Sequence, residues 1–360
     1  MASRSHAVPK PKPKIVISSD TATFDEAILE NWCDEGYKVT YLQYDPNHKQ
    51  RLDATLLQVA DELDEGEVYA IIAYGPAADH ILITAHNLTS KLSTLVAFYP
   101  TYAPPAERLP DTFHVQVHYA GSTSAGPGYV TWYNYPDTSP GFAEPGKETY
   151  DRLSTNVAWS RVLSTIRRTF SLSLDAELER IWEGHLALEF ATRDADATMA
   201  TMVPEPYVNH IPTVTGGIGH KELHRFYAEF FIPNNPPSTR MRLVSRTVGA
   251  DRIVDELYFC FDHTCEMHWI LPGVPPTGRF VEVILLTVVC IRGGKLYHEH
   301  IYWDQASVLV QVGLLDPKLG AVGLGKGGVE RLPIVGGEAA RKVLDEKSVP
   351  SNELIPVTGW

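Results

Sequence analysis

From residue 14 onward, apolar runs of four to eight residues alternate with stretches whose apolar positions recur at helical spacing. Strand-like runs fall at 15–18, 37–44, 68–74 and 94–99, and helical periodicity occupies 25–35, 51–63 and 77–87. This alternation is the pattern of βαβ units around a parallel sheet buried on both faces. Two more strands at 113–119 and 129–135 precede a long helix over 147–169, so the first half is expected to be α/β.

The pattern changes near Asp175, which offers an N-cap to a helix carrying Leu178, Ile181, Trp182, His185, Leu186 and Phe190 at helical spacing. A second helix over 221–231 is followed by long strand-like stretches at 242–248, 252–268, 279–292 and 295–303. Helices followed by long meandering strands predict an α+β cone, in which a curved antiparallel sheet wraps a pocket. The expected organisation is a leader at 1–13, an α/β domain at 14–172, a cone domain at 175–316 and an extension at 317–360 with a short helix near 338–344. The alternating Pro and Lys of the leader favour solvated, disordered chain.

Charge narrows the partners. The 31 Lys and Arg against 44 Asp and Glu give a net charge of −13, a field that repels phosphate backbones and anionic membranes. Neither nucleic acid nor membrane is expected as a partner. No apolar run reaches the ~18 residues of a membrane span, and the start lacks the apolar stretch of a secretory signal, which predicts a cytoplasmic protein. Cys33, Cys260, Cys265 and Cys290 have no C-x-x-C spacing, so buried thiols are expected. Strand parity puts Cys260 and Cys265 on opposite faces of one strand.

The strand and helix order of the first half, with the segment SPGFAEPGKETYDRLSTNVAWSRVL at 139–163, resembles the dienelactone hydrolases, α/β-hydrolases with a Cys on the nucleophile elbow. The family's Gly-x-Cys-x-Gly falls on Ala73, Tyr74, Gly75, Pro76 and Ala77, and its catalytic His, just before a Gly-Phe pair, falls on Pro140. An elbow needs a side-chain nucleophile and an imidazole within reach, and neither Gly75 nor Pro140 supplies one. The resemblance therefore implies an α/β-hydrolase-like sheet without a catalytic triad.

Residues 176–316 resemble the SnoaL-like polyketide cyclases, within the nuclear transport factor 2-like fold. The resemblance rests on GADRIVDE at 249–256, HTCEMHWILPGVPPTGR at 263–279 and GGKLYHEHIYWDQASVLVQVGLL at 293–315, in that order. It implies acid/base chemistry without a cofactor: proton abstraction beside a carbonyl, followed by cyclisation, isomerisation or elimination. Hydrolysis of a lactone or epoxide is the enzymatic alternative, and a non-catalytic binding or assembly protein the alternative of another class.

Parity selects the candidate residues, because chemistry in a cone needs polar groups on the concave face. Along 255–269 the odd positions hold Asp255, Phe259, Phe261, His263, Cys265, Met267 and Trp269. Asp255 and His263 are roughly 26 Å apart on a straight strand, so one of the two is structural. Along 295–304, Glu299 shares a face with Tyr297, Ile301 and Trp303, and a carboxylate in an aromatic setting suits general acid or base work. The alternative is an ion pair of Glu299 with Arg246 or Arg252. The stretch YVNHIPT at 207–213, read as a loop, could project Tyr207, Asn209 and His210 into the mouth of the cone. The expected catalytic set is Glu299, His263 and His210 with Asp255 auxiliary; Tyr207, Asn209, Phe259, Trp269 and Trp303 shape the cavity. Asp194 and Asp196 read as capping and turn residues.

His220 and His224 stand at i, i+4, and His298 and His300 share a strand face, but neither pair has a third placed ligand, so no metal is expected. The Gly-rich TGGIGH at 215–220 and GAVGLGKGGVE at 320–330 lack the context of a phosphate loop and read as flexible connections. The run ILLTVVCI at 284–291 is apolar on both faces, which predicts a homodimer closed over the open sheet face. A small-molecule substrate is the other expected partner.

Overall fold

A computed structural model describes residues 12–84, 87–88, 91–102, 113–122, 130–319 and 331–355. Most of the expected leader and the Gly-rich stretch 320–330 lie outside the described residues. The chain divides into two compact units, Met1–Leu174 and Asp175–Trp360, the second of which takes in the tail. No described helix is long and apolar enough to cross a membrane.

In the first unit, β1 (Lys14–Ser19), β2 (Lys38–Gln43), β3 (Tyr69–Tyr74), β4 (Leu92–Phe98), β5 (His114–Ala120) and β6 (Thr131–Tyr135) form one parallel sheet in the order β2-β1-β3-β4-β5-β6. Every residue of β1 and β3 is buried, because helices cover both faces. Helices α2 (Lys49–Asp61) and α3 (Pro76–Thr84) pack Leu52, Leu56 and Ile81 against Val16 and Ile71 on one face. On the other face, α1 (Glu26–Asp34) and α4 (Arg152–Thr169) pack Trp32 and Val162 against Ile15 and Ile17. Helix α4 starts later than the periodicity predicts because Asp151 caps it, accepting a hydrogen bond from the Ser154 amide at 2.7 Å. Gly75, with φ of 54°, makes the sharp turn from β3 into α3.

The second unit lays most of its helices on one face of a six-stranded sheet. Its strands are β7 (Met202–His210), β8 (Thr215–Ile218), β9 (Arg240–Val248), β10 (Arg252–Asp262), β11 (Phe280–Arg292) and β12 (Lys295–Tyr302), in the order β8-β7-β12-β11-β10-β9. The sheet is mixed rather than wholly antiparallel, since β12 pairs β7 in parallel. Helix α5 (Asp175–Ala187) runs into a π-helical turn at Leu188–Thr192 ahead of α6 (Ala195–Ala200), and α7 (Gly219–Arg225), after β8, runs into another at Phe226–Phe231. Helix α8 (Gln305–Val312) follows β12, and α9 (Glu338–Leu344) places Arg341 3.4 Å from Glu282 on β11. The outer face leaves Leu286 and Tyr302 exposed, the surface on which the expected dimer would close.

Three sequence-based expectations change here. Residues 207–210 belong to β7, not to a loop, and 215–218 form β8 rather than a flexible connection. The hairpin between them needs Gly216, whose φ is 126° and whose missing Cβ would lie 2.1 Å from the Val208 carbonyl oxygen. The strand expected over 252–268 ends at Asp262; parity therefore says nothing of Cys265, Met267 and Trp269.

Candidate active site

The inner face of the second sheet and the helices above it enclose a cavity of about 40 Å³. Strands contribute Val208, His210, Met241, Leu257, Leu285, Thr287, Glu299 and Ile301, and the helical layer contributes Trp182, Leu186, Glu189, Phe190, Tyr227 and Phe231, with Trp269 closing one side. The walls are apolar, and the polar groups converge from three elements. Glu189 and Tyr227 sit on the two π-helical turns, a deviation from regular helix that is common at functional sites.

Glu299 faces inward because β12 alternates Glu299 and Ile301 toward the core against His298, His300 and Tyr302 outward. Next to it lies His185, whose Nε2 is 3.2 Å from Glu189 Oε1 and 3.3 Å from Glu299 Oε1. Local geometry fixes the tautomer of this ring. The Thr201 hydroxyl donates to the Thr198 carbonyl at 2.6 Å, so its oxygen accepts from His185 Nδ1–H, also at 2.6 Å. Nε2 is left pointing at the two carboxylates.

Burial disfavours the imidazolium, but Glu189 and then Glu299 outweigh it and hold His185 up at about 10. Burial also raises the Glu189 carboxyl, against the lowering influence of His185. The trio therefore retains a proton at neutral pH. Desolvation pushes the Tyr227 hydroxyl well above its ordinary range, which keeps it a hydrogen-bond donor. The buried Thr287 Oγ1 has no hydrogen-bond partner, and Glu299 Oε1 has the long 3.3 Å contact with His185.

His210, at the end of β7, is held in an aromatic box with Trp269, Phe226 and Phe231 at ring separations of 5.2, 5.6 and 5.7 Å. Its Nδ1 donates to the Thr215 carbonyl at 3.2 Å across the β7–β8 hairpin, which leaves Nε2 as an acceptor. Burial lowers its pKa to about 4, so the ring is neutral near pH 7.

Other expected residues lie elsewhere. Asp255 is fully buried but outside the cavity lining, gripped by Arg246 Nε at 2.8 Å and Nη2 at 2.9 Å. It is therefore Asp255, and not Glu299, that takes Arg246 as its ion-pair partner. Asp255 also accepts from the Trp182 indole at 2.8 Å, so it orients one wall of the cavity. His263 follows the end of β10 and accepts from the Thr277 amide at 3.3 Å, outside the lining, where desolvation lowers its pKa. Tyr207 and Asn209 alternate with Val208 and His210 and so point away from the cavity; the Tyr207 ring packs on His300 at 5.4 Å. Trp303 and Phe259 back the lining through Trp269, each 5.4 Å from its ring. Asp194 caps α6, and Asp196 pairs His224 at 2.7 Å.

His185, Glu189, Tyr227 and Thr287 are the cavity groups that sequence reasoning did not select. The i, i+4 spacing of His185 and Glu189 was the available signal, and the apolar periodicity of the same helix masked it. Among the described residues, His185, Glu189 and Glu299 bring three metal-capable groups within 4.8 Å of one another, which neither expected histidine pair does.

No family model matches the chain, and no curated protein matches it. Part of the chain is similar to several solved structures. TsrD from Streptomyces laurentii is 19% identical, with 39% of this chain and 97% of that chain covered and a TM-score of 0.30. A candidate SnoaL-like polyketide cyclase from Jannaschia sp. CCS1 is 19% identical over 38% of this chain and 94% of that one, with a TM-score of 0.30. A candidate polyketide cyclase from Acidithiobacillus ferrooxidans is 19% identical over 39% and 98%, with a TM-score of 0.31.

Proposed function

We propose that the second unit is an acid/base enzyme that moves a proton beside a carbonyl of a small, largely apolar organic molecule, without a cofactor. The observation that carries this reading is the Glu299 carboxylate, buried among apolar walls beside a second carboxylate and an imidazole 3.3 Å away. Glu299 acts as the base, because its carboxylate lines the cavity, with the His185 ring 3.3 Å from Oε1 to receive the proton's charge. Glu189, whose carboxyl burial raises, acts as the acid, and His185 positions both. Tyr227 and neutral His210 orient the substrate oxygen and hydroxyl groups.

The resting cavity is close to the size of one water molecule, so substrate enters by displacing the half-buried Leu186, Phe190 and Met241. Cyclisation, isomerisation and elimination share the first proton abstraction, and the walls do not select among them. The first unit is read as a hydrolase-type scaffold without catalysis, since Gly75 occupies its strand-to-helix turn.

The test is hydrogen–deuterium exchange at the α-carbon of a panel of cyclic ketones, β-keto esters and lactones in D₂O, followed by NMR. Exchange catalysed by the full chain on at least one member supports the reading. A lactone opened without exchange at its α-carbon moves the site to hydrolysis, and no reaction with tight binding moves it to ligand carriage.

A further inference from the structure

The geometry points to a divalent-cation site of the zinc class at His185 Nε2, Glu189 and Glu299, with a water as fourth ligand on the cavity side. Tetrahedral zinc binds imidazole nitrogen and carboxylate oxygen at about 2.0 to 2.2 Å, which sets neighbouring ligand atoms roughly 3.3 to 3.5 Å apart. The two separations from Nε2, 3.2 and 3.3 Å, fit that spacing with little movement. Imidazole nitrogen and carboxylate oxygen are both zinc ligands, three protein ligands with a water in the fourth position is the count of open zinc sites, and two carboxylates with a neutral ring balance the charge of the ion.

Two further observations are independent of this clustering. The first is the support behind the imidazole. His185 Nδ1–H is committed to Thr201, whose own hydroxyl is committed to Thr198, so the ring presents Nε2 in the tautomer and orientation a metal needs. The second is the Thr287 hydroxyl, buried without a partner on the cavity wall. It occupies the same inner face as Glu299, diagonally across the β11–β12 pairing, where Val289 stands opposite Glu299. A metal-bound water there would give Thr287 its missing hydrogen bond. The cavity volume of about 40 Å³ accommodates such a water.

The ion binds between the ring and the two carboxylates, at the place of their present direct contacts, and it occupies the Glu299 lone pair. Loading therefore blocks proton abstraction; this consequence rests on the acid/base reading, whereas the binding does not.

Co(II) titrated into the full chain after chelator treatment and dialysis provides the test. The expected result is one equivalent bound, with the visible bands of four-coordinate Co(II), displaced by Zn(II). His185→Gln and Glu299→Gln are expected to abolish the bands, and Thr201→Val to weaken binding by about 10- to 100-fold. The double variant His220→Ala/His224→Ala is expected to leave them unchanged. Circular dichroism verifies folding, and if His185→Gln does not fold, Glu189→Gln and Thr201→Val carry the test. Absence of the bands in the folded wild type, their persistence in His185→Gln, or their loss in the double variant overturns the inference. A chain that exchanges α-protons but binds no Co(II) overturns the metal site alone, and one that binds Co(II) without exchanging protons in its metal-free form overturns the acid/base reading alone.

Discussion

Arg246 grips Asp255 through two hydrogen bonds, Nε to Oδ1 at 2.8 Å and Nη2 to Oδ2 at 2.9 Å. The same guanidinium reaches Glu183 at 2.8 Å and Glu179 at 3.2 Å, so it ties β9 and β10 to α5. The Asp255 side chain is fully buried, and without Arg246 it would be an uncompensated charge under the indole of Trp182. Arg246→Met is therefore expected to cost roughly 3 to 5 kcal/mol, measured by urea denaturation. Arg246→Met combined with Asp255→Leu should recover much of that loss. If the double variant is as unstable as the single one, the pair is not the source of the cost.

His118 in the first unit is buried between the Gln116 amide at 2.8 Å and the Tyr135 hydroxyl at 2.9 Å. Desolvation, reinforced by Arg161, holds its pKa at about 3 against an ordinary 6.5. Below pH 6.5 the unfolded chain takes up a proton that the folded chain refuses, so stability falls with pH down to about 3, by up to ~1.4 kcal/mol per pH unit. Melting temperatures between pH 7 and 4 should drop less steeply for His118→Gln than for the wild type. Equal slopes would mean that other groups govern acid unfolding.

Gly216→Ala places a Cβ against the Val208 carbonyl in a backbone conformation that alanine resists. The expected cost is roughly 1 to 3 kcal/mol, with a loosened β7–β8 hairpin and loss of the Thr215 carbonyl that holds His210. Amide exchange confined to 207–218 is the signature, and unchanged protection there would contradict it.

Thr287→Val removes a buried hydroxyl that has no partner in the resting fold. Its melting temperature should match or exceed that of the wild type, with a gain of up to about 1 kcal/mol, because a nearly isosteric apolar group replaces an unsatisfied one. A clear loss of stability would show that the hydroxyl is bonded after all.

Most of the architecture was legible because both sheets are built from strands whose burial follows simple rules. Runs such as KIVISS and YAIIAY are buried on both faces, and RIVDELYFCFD alternates cleanly up to Phe259. β7 was not legible, since Pro204 and Pro206 argue against a strand; they fall where the β7–β12 register shifts between Leu296 and His298. Beyond Asp262 the chain folds back through the Gly278 amide to the His263 carbonyl, and parity arguments for Trp269 lost their basis. Parity found Glu299 on β12. It could not find His185 and Glu189, whose meeting with Glu299 depends on how helices cross a sheet.

The central claim is that Glu299 removes the proton. On the substrate identified by α-carbon exchange, Glu299→Gln in metal-free, folded protein is expected to lower the exchange rate by roughly 10² to 10⁴, while Glu266→Gln and His298→Ala, outside the cavity, change it less than about threefold. Exchange by Glu299→Gln at the wild-type rate, or equal losses in all three variants, would contradict the account.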